Sequence, residues 1–210
     1  MREEATEGIH DIINSQQPEQ ITPQELNQPS TQQTTSDEDI VNEKKVAEIL
    51  HVSEMAIKGL NYECGHIVSR NGDLLHVEHG QTGFVNPPVE LIRDNILTHN
   101  HPSGTCAFSL NDVKSIIAHD GAEIRAVTKD GRLVSLRRGE DGWNPLLGDE
   151  MAKAGLSNSG VLLKSGGIVL RRYGRGYAEK QRLEIAENLL NGWLRDNAPK
   201  FGALFTEGVI

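Results

Sequence analysis

The sequence predicts an α+β fold: a mixed, largely antiparallel sheet flanked by helices, with a C-terminal helical extension. Two observations predict the sheet, because Asn71-Gly72 and Lys129-Asp130-Gly131 each separate two runs of β-favouring residues and so mark hairpins. A third observation predicts the helices, since apolar residues recur at helical spacing before, between and after these hairpins. Hairpins and helices in this order are typical of a sheet with helices packed on it.

The chain begins with a segment that lacks the residues of a core. Residues 1–37 are rich in Gln, Glu, Thr, Ser and Pro and contain few large apolar side chains. Burial of so little apolar surface does not offset the conformational entropy lost on folding. We therefore predict a disordered arm at residues 1–37, in which Gly8–Ile13 is a stretch that could form a short helical turn.

The remaining elements follow from periodicity and turn residues. Ser36–Asp39 is an acidic helix start, and the apolar residues after it recur at near-helical spacing, so a helix that packs on the domain is predicted here. The later predicted elements are, in order, paired strands at Tyr62–Arg70 and Asp73–His79, a short helix from Pro87 to Arg93, a strand at Asn95–Thr98, a helix at Leu110–His119, a hairpin of Ala122–Thr128 with Arg132–Arg138, and helices at Asn144–Ala154 and Tyr177–Asn197. We assign residues 38–143 to one domain and residues 144–210 to a mostly helical extension.

The last predicted helix has one broad apolar face. This face is formed by Leu183, Ile185, Ala186, Leu189, Leu190, Trp193 and Leu194. Packing of the face against the domain is the structural interpretation. The alternative is that the helix at residues 177–197 binds a partner or a second copy of the chain.

Composition restricts the class of function. The 210 residues are 37% hydrophobic, which suits one domain of ordinary size with additional segments. A net charge of -9 and an isoelectric point near 5.4 argue against nucleic-acid binding, which needs a basic face. The sequence has two cysteines, no apolar signal segment and no apolar run of membrane-spanning length. We therefore expect a soluble, cytoplasmic protein with no membrane partner.

One segment carries the clearest chemical signal. His99 and His101 are separated by one residue, and Pro102 and Gly104 are expected to end the strand there, so that both imidazoles can face one ion. Asp112 lies eleven residues later and could complete a three-ligand site. Such a donor set suits zinc and leaves the fourth coordination position for water, which is the catalytic arrangement.

The same segment also has a structural interpretation. Ser109 and Asp112 have the spacing of a capping box at the start of a helix. The two interpretations of Asp112 are compatible, because a cap fixes the position of a carboxylate.

The pattern His-x-His, seven residues, Ser, two residues, Asp resembles the signature of the JAMM/MPN metalloproteases. His99, His101, Ser109 and Asp112 fill this pattern without a gap. The form His-Asn-His-Pro-Ser-Gly is similar to that of RadC-like bacterial proteins and of JAMM-like domains in phage and prophage proteins, and the resemblance covers about Tyr62–Trp143. It implies the family's cytidine-deaminase-like fold, a Zn²⁺ ion on His99, His101 and Asp112, and hydrolysis of a peptide or isopeptide bond.

The resemblance also implies a glutamate on an early strand that activates the zinc-bound water. Glu63 is its counterpart by position, although Cys64-Gly65 follows it more closely than in many members of the family. Glu78 is the alternative, and a solvated surface carboxylate is the structural interpretation of either residue. The hydroxyl of Ser109 would stabilise the oxyanion beside the metal.

Three functional hypotheses remain open at this point. The first is a zinc metallopeptidase that acts on a protein or peptide substrate, such as a ubiquitin-like tail joined to lysine. The second is a non-catalytic JAMM-like binding or structural module, for example in a phage particle, since such folds exist without activity. The third is a DNA-associated role, which the acidic composition disfavours. Retention of every ligand position favours the first hypothesis.

Overall fold

The computed structural model describes residues 37–81, 83–157, 160–161, 164–165, 168 and 179–210. The predicted arm at residues 1–37 therefore lies outside the described residues, except for Asp37. The helices are α1 (Asp37–Ile57), α2 (Leu110–Ala118), α3 (Leu146–Lys153) and α4 (Glu179–Asn197). The strands are β1 (Cys64–Val68), β2 (Leu74–His79), β3 (Ile96–His101), β4 (Glu123–Thr128), β5 (Arg132–Arg137) and β6 (Leu204–Val209). Short 3-10 helices lie at Val89–Leu91 and Ala198–Phe201.

The strands form one six-stranded sheet in the order β2-β1-β3-β4-β5-β6. β3 and β4 are parallel and are joined through α2, whereas the other neighbouring strands are antiparallel. Both predicted hairpins are present, and Gly72 and Gly131 adopt the positive φ that their turns require. The predicted α+β class, with a mixed and largely antiparallel sheet, is confirmed.

Helices cover both faces of the sheet. α1 packs on one face through small apolar clusters that include Leu50 and Ile57. α2, α3 and α4 cover the other face, where the main core lies. The buried strand residues of that core are Ile67, Leu97, Ile124, Ala126, Val134 and Leu136. Because β3 is central in the sheet, its alternating side chains point into two different environments.

The C-terminal part of the chain contributes more than helices. Ala186, Leu190 and Leu194 of α4 are buried in the main core, so the apolar face of this helix packs on the domain, in agreement with its structural interpretation. β6 follows and pairs with β5 along its length. This strand, which forms one edge of the sheet, is not predicted from the sequence. No helix among the described residues is long and apolar enough to span a bilayer.

Candidate metal centre

The two motif histidines lie on β3, and strand geometry turns both to the same side. Side chains two residues apart on a strand share a face, so His99 and His101 point together toward the main core. His99 is paired with Gly65 on β1 and with Ala126 on β4. β3 ends at His101, where Pro102 and the turn with Gly104 at φ 77° follow as expected, but the strand continues through both histidines and so runs three residues beyond the predicted end at Thr98.

Asp112 reaches the histidines from the first turn of α2. The backbone N–H of Ser109 donates to Asp112 Oδ2 at 2.7 Å, and the N–H of Asp112 donates to Ser109 Oγ at 3.1 Å. The predicted capping box is therefore present. Because the cap occupies Oδ2, the second oxygen remains available, and Oδ1 lies 3.9 Å from His99 Nε2.

The three side chains could hold a metal ion. One ligand atom from each lies within 4.8 Å of the others, and the Nε2 atoms of His99 and His101 are 2.9 Å apart. Two nitrogens bound to tetrahedral zinc at about 2.0–2.1 Å would be separated by about 3.3 Å. A small adjustment of side-chain torsions spans that difference. Two imidazoles and one carboxylate suit zinc and also other first-row metals.

Both imidazoles are in a state suited to metal binding. His101 Nδ1 lies 2.8 Å from the carbonyl oxygen of Thr105 and must donate to it, which leaves the lone pair on Nε2. His99 is buried, and this burial, together with the neighbouring His101, lowers the pKa of His99 to about 4 despite the opposing charge of Asp112. His99 is thus neutral at pH 7, as a ligand must be.

Glu63 lies beside this cluster. It immediately precedes β1, and continuing the register of β1 with β3 sets it opposite His101. Burial raises the pKa of Glu63 to about 6, with His101 lowering it and Asp112 raising it, so all three groups interact electrostatically. The described residues provide no hydrogen-bond or ion-pair partner for its carboxylate. A half-buried carboxylate with a raised pKa is suited to accept a proton near neutrality.

The other predicted participants differ in their surroundings. Glu78 lies on β2, one strand further from β3 than β1, and its carboxylate lies 3.0 Å from His76 Nε2. Of the two glutamates, Glu63 is the one near the cluster. Ser109 lies next to Asp112 in the capping box, and its Oγ accepts a hydrogen bond there, so its own O–H remains free to donate to another group.

Asn100, between the two histidines, is a residue whose role the sequence analysis misses. Its side chain points to the opposite face, where Oδ1 accepts from Cys64 N at 2.7 Å and Nδ2 donates to Tyr62 O at 3.0 Å and to Leu60 O at 3.4 Å. These bonds hold the backbone on both sides of Glu63. A polar side chain in a strand that is buried on both faces needs hydrogen-bond partners, so an Asn at this position of the predicted strand could have indicated such a role.

The comparisons with known proteins add no relative to this description. No protein-family model, curated protein or solved structure matches the chain. Function is therefore inferred from the geometry of the site and from the motif. The geometry brings a possible three-ligand metal site, a carboxylate with a raised pKa and a serine hydroxyl to one end of β3.

Proposed function

We propose that this protein is a zinc-dependent hydrolase of peptide or isopeptide bonds. The observation that carries the proposal is the convergence of His99, His101 and Asp112, with Glu63 beside them in a half-buried position. Three protein ligands leave room for a water, which distinguishes a catalytic from a structural zinc site. The resemblance of the motif to JAMM/MPN metalloproteases supports the same class of reaction.

Each residue of the site would have a separate role in the reaction. His99, His101 and Asp112 would hold the ion, which when bound lowers the pKa of a coordinated water and polarises a carbonyl group. Glu63 would accept the proton of the attacking water and deliver it to the leaving amine. Ser109 would donate its O–H to the oxygen that becomes negatively charged during the attack.

The substrate class is a further part of the proposal. An amide between two protein segments, such as a ubiquitin-like C-terminal tail joined to a lysine side chain, is the substrate that the motif resemblance implies. A zinc site and a positioned base are sufficient for that chemistry, and neither requires a cofactor beyond the metal. The acidic chain disfavours a nucleic-acid substrate.

Metal analysis is the first test. The purified protein is expected to carry about one zinc per chain, and His101→Ala is expected to lose it, because two ligands bind zinc far more weakly than three. Elemental analysis of both proteins after dialysis measures this directly. Equal zinc in the two proteins would show that the metal binds elsewhere.

Glu63→Gln then separates an enzyme from a binding module. The substitution is nearly isosteric and removes no proposed ligand, so fold and zinc content should be retained. Hydrolysis of a panel of peptide and isopeptide substrates is expected to fall by roughly 10²–10⁴-fold, the usual contribution of a positioned base. Glu78→Gln is the matched control and should leave the rate nearly unchanged.

The outcomes of this experiment are distinct. A large loss in Glu78→Gln alone would transfer the role of base to Glu78. A wild-type protein that binds zinc and cleaves no substrate of the panel would favour the non-catalytic module.

A further inference from the structure

A helix outside the motif region contacts the loop that connects the proposed ligands. The side chain of Glu187 on α4 accepts a hydrogen bond from the backbone N–H of Cys106, with a distance of 2.9 Å to Oε2. The carbonyl oxygen of the same peptide group belongs to Thr105 and accepts the hydrogen bond from His101 Nδ1 at 2.8 Å. One peptide group therefore joins a carboxylate of α4 to an imidazole of the candidate metal centre.

We propose that Glu187 is a positioning residue for the metal ligand His101 and acts through the Thr105–Cys106 peptide group. The proposal rests on the metal centre proposed above. It assigns to the C-terminal extension a part in metal binding, in addition to its packing on the core.

Glu187 can affect His101 by polarising the peptide group between them and by orienting the imidazole ring. When a carboxylate accepts a hydrogen bond from a peptide N–H, its negative charge shifts electron density of the peptide group from nitrogen toward the carbonyl oxygen. That oxygen then becomes a better hydrogen-bond acceptor. The stronger bond fixes the tautomer and the ring orientation of His101 and makes its Nε2 more basic. In many zinc sites a carboxylate accepts directly from the ligand histidine, and here a peptide group is inserted between the two.

The surroundings of Glu187 keep its carboxylate in this position. Its side chain is largely buried, and Oε1 pairs with Arg132 of β5. Arg132 also donates to the carbonyl oxygen of Gly104 at 2.9 Å, within the turn that follows His101. The guanidinium group of Arg132 thus binds both the carboxylate of Glu187 and the turn.

A neighbouring contact supplies a control. Asn191, one helical turn after Glu187, donates from Nδ2 to the carbonyl oxygen of Cys106 at 2.8 Å. That oxygen belongs to the next peptide group, which makes no bond to His101. Asn191 therefore anchors the same loop to the same helix without taking part in the connection to the metal ligand.

The test measures zinc affinity by competition with a chromophoric chelator, together with the unfolding of the metal-free proteins. Glu187→Gln keeps an acceptor oxygen but removes the charge, and Glu187→Leu removes both. We expect zinc affinity to fall in the order wild type, Gln variant, Leu variant, by about 10- to 100-fold overall, the range seen when the hydrogen-bond partner of a ligand is lost. The Nδ1–H proton resonance of His101 should move upfield in the same order.

Two control variants make the result specific. Asn191→Leu should lower the stability of the metal-free protein and change zinc affinity by less than about threefold, since Asn191 bonds to Cys106 O and to Glu207 of β6 but not to the peptide group that contacts His101. Glu184→Gln removes an exposed carboxylate from the same helix and should change neither quantity.

Each outcome decides one question. Zinc affinity that is equal in wild type and both Glu187 variants would overturn the inference while leaving the metal centre intact. Equal losses in Asn191→Leu and Glu187→Gln would also overturn it, because anchoring of the loop would then explain the effect. A wild-type protein that binds no zinc would instead overturn the proposed function.

Discussion

The two faces of β3 differ in how their buried polar side chains are paired. On the face toward α1, Thr98 and Asn100 are fully paired with protein groups. On the face toward the main core, His99 and His101 direct their Nε2 atoms at each other, and Glu63 beside them has no partner among the described residues. Paired polar groups stabilise a fold, whereas two imidazole nitrogens directed at each other beside a carboxylate mark a place where an ion can bind.

The α1 face contains a connected network of charges. The buried carboxylate of Glu54 accepts from Arg125 Nε at 2.5 Å and from Thr98 Oγ1 at 3.2 Å. Arg125 also donates to Glu123 at 2.9 Å, and Glu123 accepts from Ser135 at 2.6 Å. Burial alone would lower the pKa of Arg125, but the bonds and charges of the two glutamates outweigh it and raise that pKa. Every charge in this network has a partner.

The metal-centre face leaves polar atoms unsatisfied. His99 Nδ1 is buried and has no hydrogen bond of normal geometry, although the nearby backbone of Arg125 slightly raises the pKa of this histidine. A buried polar atom without a partner costs free energy of folding. The ion of the proposed site would bind Nε2 of His99, so this cost at Nδ1 is present with or without the metal.

The largest effect that tests this comparison is expected on the α1 face. Arg125→Ala would leave Glu54 buried without its cation, and the free energy of unfolding should fall by about 3–5 kcal/mol. Urea denaturation of the metal-free protein measures this loss. Among variants that remain folded, zinc affinity should be unchanged, because Arg125 lies outside the ligand set.

A double variant sharpens the result. Glu54→Leu combined with Arg125→Met replaces the ion pair with apolar groups and should be more stable than Arg125→Ala. If the single and double variants are equally unstable, the uncompensated charge is not the cause of the loss.

A smaller effect is expected from Asn100, which lies on the α1 face but holds the segment of Glu63. Asn100→Leu leaves one backbone N–H and two carbonyl groups without their partner, at a cost of about 1–3 kcal/mol. Hydrolysis should also fall, by roughly tenfold or more, because Glu63 is no longer fixed. The measurements are urea denaturation and kcat at saturating zinc. A loss of stability with unchanged kcat would assign Asn100 to the fold alone.

The sequence predicts this molecule where local chemistry decides the structure. Asn71-Gly72 specifies a hairpin, and Ser109 with Asp112 specifies a helix start, because turns and caps depend on neighbouring residues. The partners of Asn100 and Glu187 lie 36 or more residues away along the chain, so no local pattern announces them. β6 is likewise short, and its pairing with β5 depends on tertiary packing.

The smallest expected effect is the pH dependence of the free energy of unfolding that Glu63 contributes. Burial, with a contribution from Asp112 and against the effect of His101, raises the pKa of Glu63 from 4.5 to about 6. The unfolded chain therefore releases this proton at lower pH than the folded chain does, so the stability contributed by the protonated form is present below pH 4.5 and is lost as pH rises through about 6. Glu63→Gln removes this dependence. Because the carboxylate is half exposed, solvent screening should keep the difference below about 1 kcal/mol. Urea denaturation of metal-free wild type and variant from pH 4.5 to 7 tests this, and a stability difference that stays constant across that range would contradict the raised pKa of Glu63.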